Sequence, residues 1–255
     1  MRNLPALLLA LMLALVPGAV RAGEALQRVE TSGTLRIGLT GDYKPFSALG
    51  ADGAFTGLDV DLGRALAASL GVRPVFVRTS WPTLGADLEA GRFDIAMGGV
   101  SVTEARAKVG LFSAPMMSDG KTPIALCANA ARFQTLQQID RKGVRLVVNP
   151  GGTNEAFARA HIHAATITVH PDNTTIFQEI VDGRADLMIT DAIETRLQAK
   201  LHPELCAIHP DAPFDHAEKA YFMPKDAEMK AKVDAWLAGM RASGALKAAI
   251  VKWVE

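Results

Sequence analysis

Thr190-Asp191-Ala192-Ile193-Glu194 sets two acids beside one another at the end of a short apolar run. Thr190 is a residue type that opens helices, and the spacing predicts a helix whose first turn carries Asp191 and Glu194 three apart, on neighbouring positions of one face. Two carboxyl groups so placed can take different tasks. One can hold a cation such as an ammonium group. The other, walled off from water with a like charge beside it, can keep a proton near neutral pH and give it up as a general acid. That second property separates an enzyme from a carrier.

Other residues could hold what the acid acts on. Ser101, Thr103 and Arg106 follow Gly98-Gly99; the hydroxyls stand at a helix start, and arginine grips carboxylate through two parallel hydrogen bonds that lysine cannot reproduce. The plainer reading is a capped helix with a solvated arginine. Asn149 through Glu155 places Gly152, Thr153 and Asn154 at another helix start, where backbone N–H groups favour anions. It lacks the Gly-Lys-Ser/Thr ending of a nucleotide phosphate loop, and an ordinary turn capped by Thr153 is its plainer reading. Glu155 reads as an ionised helix-start acid. Tyr43 and Trp81 put aromatic faces in loops at strand ends, able to sandwich a small ring or only to anchor the loops. Lys121 sits where the chain leaves its first half and can reach a cleft; a solvated lysine is the alternative.

The elements that must position these groups announce themselves by repetition. Gly91-Arg92-Phe93-Asp94-Ile95-Ala96-Met97 is echoed by Gly183-Arg184-Ala185-Asp186-Leu187-Met188-Ile189. Each copy follows a helical pattern and reads as helix, glycine stop, short buried strand, new helix. Further strands are expected at Leu35–Leu39, Val75–Val77 and Arg145–Val148. Helices are expected at Leu58–Leu70, Thr103–Val109, Asn154–His161, Asp191–Lys200 and Ala227–Met240. Such alternation implies an α/β fold of two related lobes, each a mostly parallel sheet flanked by helices. Ligands of such sheets bind beyond the carboxyl ends of the strands, after Met97, Val148 and Ile189.

Composition narrows the function classes. Residues 1–22 read as a secretory signal peptide, with Arg2, an apolar run from Leu4 to Val16 and a small-residue site before Gly23. No cysteine follows that site to carry a lipid, and no later stretch is apolar enough to span a bilayer, so no stable membrane anchor is expected. The whole chain has 27 basic and 27 acidic side chains; without Arg2 and Arg21 the balance is 25 to 27, which argues against a nucleic-acid surface. Cys127 and Cys206 lie in an oxidising compartment, as a disulfide or as two buried thiols. The histidines show no metal-ligand spacing, and there is no Gly-x-Ser-x-Gly turn or dinucleotide glycine fingerprint. The chemistry open to these residues is acid–base work without a cofactor or metal.

Gly57-Leu58-Asp59-Val60-Asp61-Leu62, continuing helically to Leu70, resembles the signature of the bacterial extracellular solute-binding proteins, a family that includes receptors for polar amino acids. Ser101-x-Thr103-x-x-Arg106 is similar to that family's carboxylate grip, and Asp191 stands where its ammonium-binding Asp usually does. The resemblance spans essentially the whole mature chain. It implies the two-lobed periplasmic-binding-protein-like fold of type II, with residues 23–123 plus 217–255 in one lobe and 124–216 in the other.

Within that family the chain resembles more closely the periplasmic cyclohexadienyl dehydratases. The likeness lies in residues 41–47, Thr79-Ser80-Trp81-Pro82, residues 119–124, Arg132 through Leu136, Asn149 through Glu155, His170 through Asn173 and Leu201 through Cys206. It implies conversion of prephenate to phenylpyruvate, or of arogenate to phenylalanine, with loss of water and CO₂. Glu194 is then the general acid, with Lys121, Asn149 and Asn154 in the same pocket. Ser101, Thr103 and Arg106 hold the side-chain carboxylate, and Asp191 favours the ammonium of arogenate. Lys121, or the helix start at Gly151–Asn154, neutralises the ring carboxylate. The alternative is a non-catalytic receptor delivering an amino acid to an ABC transporter. The enzyme reading expects Glu194 in the cleft beside Tyr43, Trp81 and Arg106. The receptor reading expects it in solvent, or paired with Arg196 or Arg92.

Overall fold

The computed structural model describes residues 23–254; the expected signal peptide lies outside the described residues. Two five-stranded sheets carry the fold, and they share one strand order. In the first, Thr34–Leu39 pairs in parallel with Arg73–Arg78 on one side and Ile95–Ala96 on the other. Phe222–Met223 and Leu111–Phe112 continue it antiparallel. In the second, Arg145–Val148 lies parallel between Thr166–Val169 and Leu187–Asp191, and Lys121–Leu126 and Leu205–Ala207 continue antiparallel. The α/β architecture is therefore as the alternation implied, with antiparallel strands added at corresponding edges.

The internal repeat is a repeat of hydrogen bonds as well as of letters. Gly91 and Gly183 end their helices in the left-handed region, at φ 65° and 70°. Asp94 then accepts from the backbone N–H of Arg36 at 2.8 Å, and Asp186 from that of Arg145 at 2.8 Å. Each arginine also returns a guanidinium hydrogen bond to the carbonyl of its own copy's glycine, 2.7 Å in both cases. Chance similarity does not reproduce that geometry.

Each sheet buries its own apolar face. Leu35, Ile37, Leu39 and Ile95 pack beneath helix Leu58–Ser69 and helix Ala227–Ala242, whose Leu62, Leu66, Val233 and Leu237 are buried. Leu146, Val148, Leu187 and Ile189 pack against Phe157 and Ala158 of helix Thr153–His161. The chain passes between the sheets twice, through Met117–Asp119 and back through Ala217–Lys219, and these two strands pair side by side. Cys127 and Cys206 form a disulfide that closes a 79-residue separation beside the second sheet. In the chain-entropy account, a loop of that length is worth about 4 kcal/mol. Among the described residues no helix is long and apolar enough to cross a membrane.

One boundary differs where it matters. The helix expected to open at Thr190 runs Ala192–Leu201, and Thr190 and Asp191 remain in the strand. The reason is tertiary pairing: Thr190 lies opposite Thr122 and Asp191 opposite Lys121, and that antiparallel ladder holds the backbone extended for two further residues. Thr103 likewise stays outside its helix, Glu104–Val109, and caps it by accepting from the Arg106 N–H at 3.2 Å.

Candidate active site

Asp191 ends its strand 3% exposed, and its carboxylate is shared by three donors. Lys121 Nζ donates to Oδ1 at 2.8 Å, Lys219 Nζ donates to Oδ2 at 2.5 Å, and the Tyr43 hydroxyl donates to the same Oδ2. Burial alone raises a carboxyl pKa; here the two ammonium groups outweigh it and hold Asp191 well below the usual carboxylate range. Burial and the neighbouring Asp191 charge push the Tyr43 phenol well above its ordinary value.

Glu194 stands in the first turn of the following helix, 1% exposed. Its Oε2 accepts from Thr190 Oγ1 at 2.5 Å. Burial is the main influence on it, the Thr190 bond opposes, and the Asp191 charge adds to the rise, so its pKa stands at about 8. Glu194 therefore keeps its proton at neutral pH while Asp191 keeps its charge. Neither basic residue that the receptor reading required is its partner: Arg92 pairs with Asp87, and Arg196 with Asp211.

A chain of hydrogen bonds joins Glu194 to the cleft. Thr190 Oγ1 accepts from Asn154 Nδ2 at 2.9 Å, which also donates to Asn149 Oδ1 at 3.0 Å. Asn154 Oδ1 accepts from Lys121 Nζ at 2.5 Å, and Thr153 Oγ1 accepts from it at 2.9 Å. Helix Thr153–His161 supplies Thr153 and Asn154 because Gly151, at φ 69°, brings its start against Pro82; a Cβ there would lie 2.6 Å from the proline ring. Glu155 is turned away, bonded to the Gly151 N–H and Arg159, which hold its carboxyl below the usual range.

A small cavity of about 20 Å³, room for about one water molecule in this closed arrangement, lies between the two sheets at the carboxyl ends of their parallel strands. Tyr43, Trp81 and Ser101 line it from one side; Asn149, Gly152, Thr153, Asn154 and Asp191 line it from the other. The Trp81 and Tyr43 rings meet edge to face, centroids 5.7 Å apart. Arg106 stands behind the wall, its guanidinium 5.7 Å above the Trp81 ring and donating to the Ser101 carbonyl at 2.8 Å. Burial lowers its pKa to about 10, with Asp191 opposing. Thr103 and Lys121 face an adjoining cleft that shares Ser101 and Thr153 with the first. The expectation that Glu194 faces the cleft beside Tyr43, Trp81 and Arg106 is not met: neither Glu194 nor Arg106 is part of the cavity wall. Glu194 is linked to it through Thr190 and Asn154 because its carboxyl is turned onto the Thr190 hydroxyl.

Three wall residues were not among the site residues expected from the sequence. Lys219 arrives on the return strand Ala217–Lys219, where nothing local marks it. Asn173 sits in a turn and donates to the Asp42 carbonyl at 2.9 Å, tying the two sides of the cleft together. Gly99, at φ 72°, leaves room for Phe46 and Tyr43, whose rings lie 2.5 and 2.7 Å from where a Cβ would be. A Gly-Gly pair after a buried strand was the one available hint.

Residues 35–255 match the model of the bacterial extracellular solute-binding proteins, family 3. A cyclohexadienyl dehydratase from Pseudomonas aeruginosa is 55% identical over 97% of this chain and 92% of its own length. The L-cystine-binding protein TcyJ of Escherichia coli is 30% identical over 89% of this chain and 85% of its own. Among solved structures, an ancestral amino acid-binding protein described as a precursor of cyclohexadienyl dehydratase superposes with a TM-score of 0.84 at 35% identity. It covers 90% of this chain and 99% of its own. An ancestral cyclohexadienyl dehydratase matches with a TM-score of 0.57 at 51% identity, over 90% of this chain and 95% of its own. With its two like-ordered sheets, two connecting strands and intervening cavity, the chain belongs to family 3 of the bacterial extracellular solute-binding proteins and has their type II periplasmic-binding fold.

Proposed function

We propose that the protein is a periplasmic cyclohexadienyl dehydratase that converts prephenate to phenylpyruvate and arogenate to phenylalanine, with Glu194 as its general acid. The observation that carries this reading is a glutamate buried with only the Thr190 hydroxyl on its carboxyl, beside an aspartate that two lysine ammonium groups hold ionised; burial pushes the glutamate pKa up to about 8. A receptor needs no such proton. The 55% identity to a dehydratase over nearly the whole chain supports the same conclusion.

The reaction follows from the substrate's form. The ring of prephenate carries a carboxylate and a 2-oxo acid side chain on one carbon and a hydroxyl on the opposite carbon. Glu194 must turn from Thr190 into the cavity to act; there it protonates the hydroxyl as its C–O bond breaks, so that water leaves. The bond from ring to carboxylate breaks as well; its electron pair enters the ring, CO₂ departs and the ring becomes aromatic. Glu194, left as a carboxylate, recovers a proton from solvent after product release. A placed acid of this kind contributes about 10²–10⁴-fold. Ser101 takes the side-chain carboxylate from the wall, and Arg106 supports it from behind through the Ser101 carbonyl and Thr103 from the adjoining cleft. Lys121 with the helix start at Gly152-Thr153-Asn154 balances the ring carboxylate until it leaves. Asn149 and Asn154 keep Thr190 and Lys121 in register. Tyr43 and Trp81 enclose the ring and exclude water.

Residues 23–123 with 217–255 act as one lobe and 124–216 as the other, closing over the ligand. The Tyr43–Asp191 and Asn173–Asp42 bonds support that closed arrangement. The test is turnover: purified protein from Gly23 onward should release phenylpyruvate and CO₂ from prephenate in equal amounts. No turnover of prephenate or arogenate, with tight binding of an ordinary amino acid, overturns the reading.

A further inference from the structure

Asp191 is the one carboxylate in the wall of the cavity among the described residues, and the chain's own cations already occupy it. Lys121 holds Oδ1; Lys219 and the Tyr43 hydroxyl hold Oδ2. The two lysines are not equivalent. Lys121 has spent all three of its N–H groups, on Asp191, Thr153 and Asn154. Lys219 gives one to Asp191 and one to Ser101 Oγ at 2.8 Å, which leaves a third N–H for the cavity whose wall it forms. Its Nζ also lies 5.3 Å from the Tyr43 ring centroid. Both lysines are buried, 2% and 1% exposed, and no other carboxylate among the described residues lies within ion-pairing distance of either.

A ligand's α-ammonium entering this cavity needs an anionic acceptor and finds Asp191 taken. To reach it, the ammonium must displace Lys219 from its ion pair towards Asp119, the next acid that feels its charge, or stand beside two like charges. A 2-oxo acid meets no such conflict. Its carboxylate or keto oxygen can accept the third N–H of Lys219 and the hydroxyl hydrogen of Ser101. We propose that Lys219 is a specificity-determining residue, a resident ammonium on Asp191 that makes the site favour the 2-oxo acid prephenate over the 2-amino acid arogenate. The proposal rests on the dehydratase reading for the identity of these two substrates, but the discrimination against an α-ammonium can be measured without turnover.

Two unreactive ligands isolate it: 3-(4-carboxyphenyl)propanoate and 4-carboxyphenylalanine, which differ only by the α-ammonium. Calorimetric titration of the wild type should give at least tenfold tighter binding of the propanoate. Lys219→Met, which frees Asp191, should narrow that ratio tenfold or reverse it, and Lys219→Arg should keep the wild-type order. A purely structural lysine would weaken both ligands alike and leave the ratio unmoved. Equal or tighter binding of the amino acid by the wild type overturns the proposal, as does an unchanged ratio in folded Lys219→Met. If that variant does not fold, the wild-type ratio decides alone. Equal kcat/KM for prephenate and arogenate overturns the selectivity and leaves the dehydratase reading standing. A strong preference for the propanoate, with neither substrate turned over, overturns the dehydratase reading and supports the selectivity.

Discussion

After Gly91-Arg92-Phe93-Asp94-Ile95-Ala96-Met97 the chain turns through Gly98-Gly99; after the second copy of that pattern it runs through Thr190-Asp191 into a helix bearing Glu194. The two junctions sit at matching places in matching sheets and face the same cavity. In the first, the backbone does the binding: the N–H groups of Gly98 and Gly99 both donate to buried Asp59, at 2.7 Å each. In the second, side chains converge. The first junction supplies shape and the second gathers charge. Three buried carboxyl groups record the difference. Burial raises Asp59 to about 6 while the two glycine N–H groups restrain it, and Glu194, with a single hydroxyl, rises to about 8. Asp191, with two ammonium partners, falls below its ordinary value. Partners, more than burial, decide which acid can give up a proton.

That contrast is open to attack at several points. The largest effect is expected from Glu194→Gln, which should lower kcat for prephenate by about 10²–10⁴ while calorimetry still detects ligand. An unchanged kcat would move the acid elsewhere. Asp191→Asn should leave two buried ammonium groups without their counter-charge and cost about 3–5 kcal/mol in urea unfolding. In the first junction, Gly99→Ala should cost about 1–3 kcal/mol through its positive φ and the Phe46 and Tyr43 rings, with KM raised more than kcat is lowered. If it proves neutral, the first junction does not set the cavity's shape.

Activity should also fall as pH rises through about 8, because only protonated Glu194 can act. The smallest effect is on stability. Glu194 and Asp59 have folded pKa values above their ordinary 4.5 and 3.8, so the folded state binds more protons than the unfolded chain between those limits. The stability they contribute is complete below about pH 4 and is lost as pH rises through about 6 and then about 8. Thermal melts of the wild type and Glu194→Gln across that range should converge towards low pH.

Much of this was legible in the sequence because it is local. The Gly-Arg-x-Asp repeat announced two like sheets, and Asp94 and Asp186 show why its letters recur, each fastening a strand start to a helix end. The spacing of Asp191 and Glu194 brought the two acids to one strand–helix junction, although Asp191 ends the strand and does not share the helix. What local pattern could not supply was pairing at a distance. The strand opposite Lys121 holds Thr190 and Asp191 extended, so the helix starts later than Thr190's preference suggests. Lys219 joins Asp191 only because the chain crosses back between the sheets, and no spacing near Lys219 encodes that contact. Asn173 reaches Asp42 in the same way, from a turn in the other half of the molecule.

The central claim is that two neighbouring acids hold opposite protonation states in one dry site. Carboxyl-labelled glutamate observed by ¹³C NMR during a pH titration tests it most directly, with Glu194→Gln to assign the signal. One glutamate carboxyl should titrate near pH 8 and vanish in the variant. If every glutamate has titrated by about pH 5, Glu194 is ionised at neutral pH and cannot be the acid.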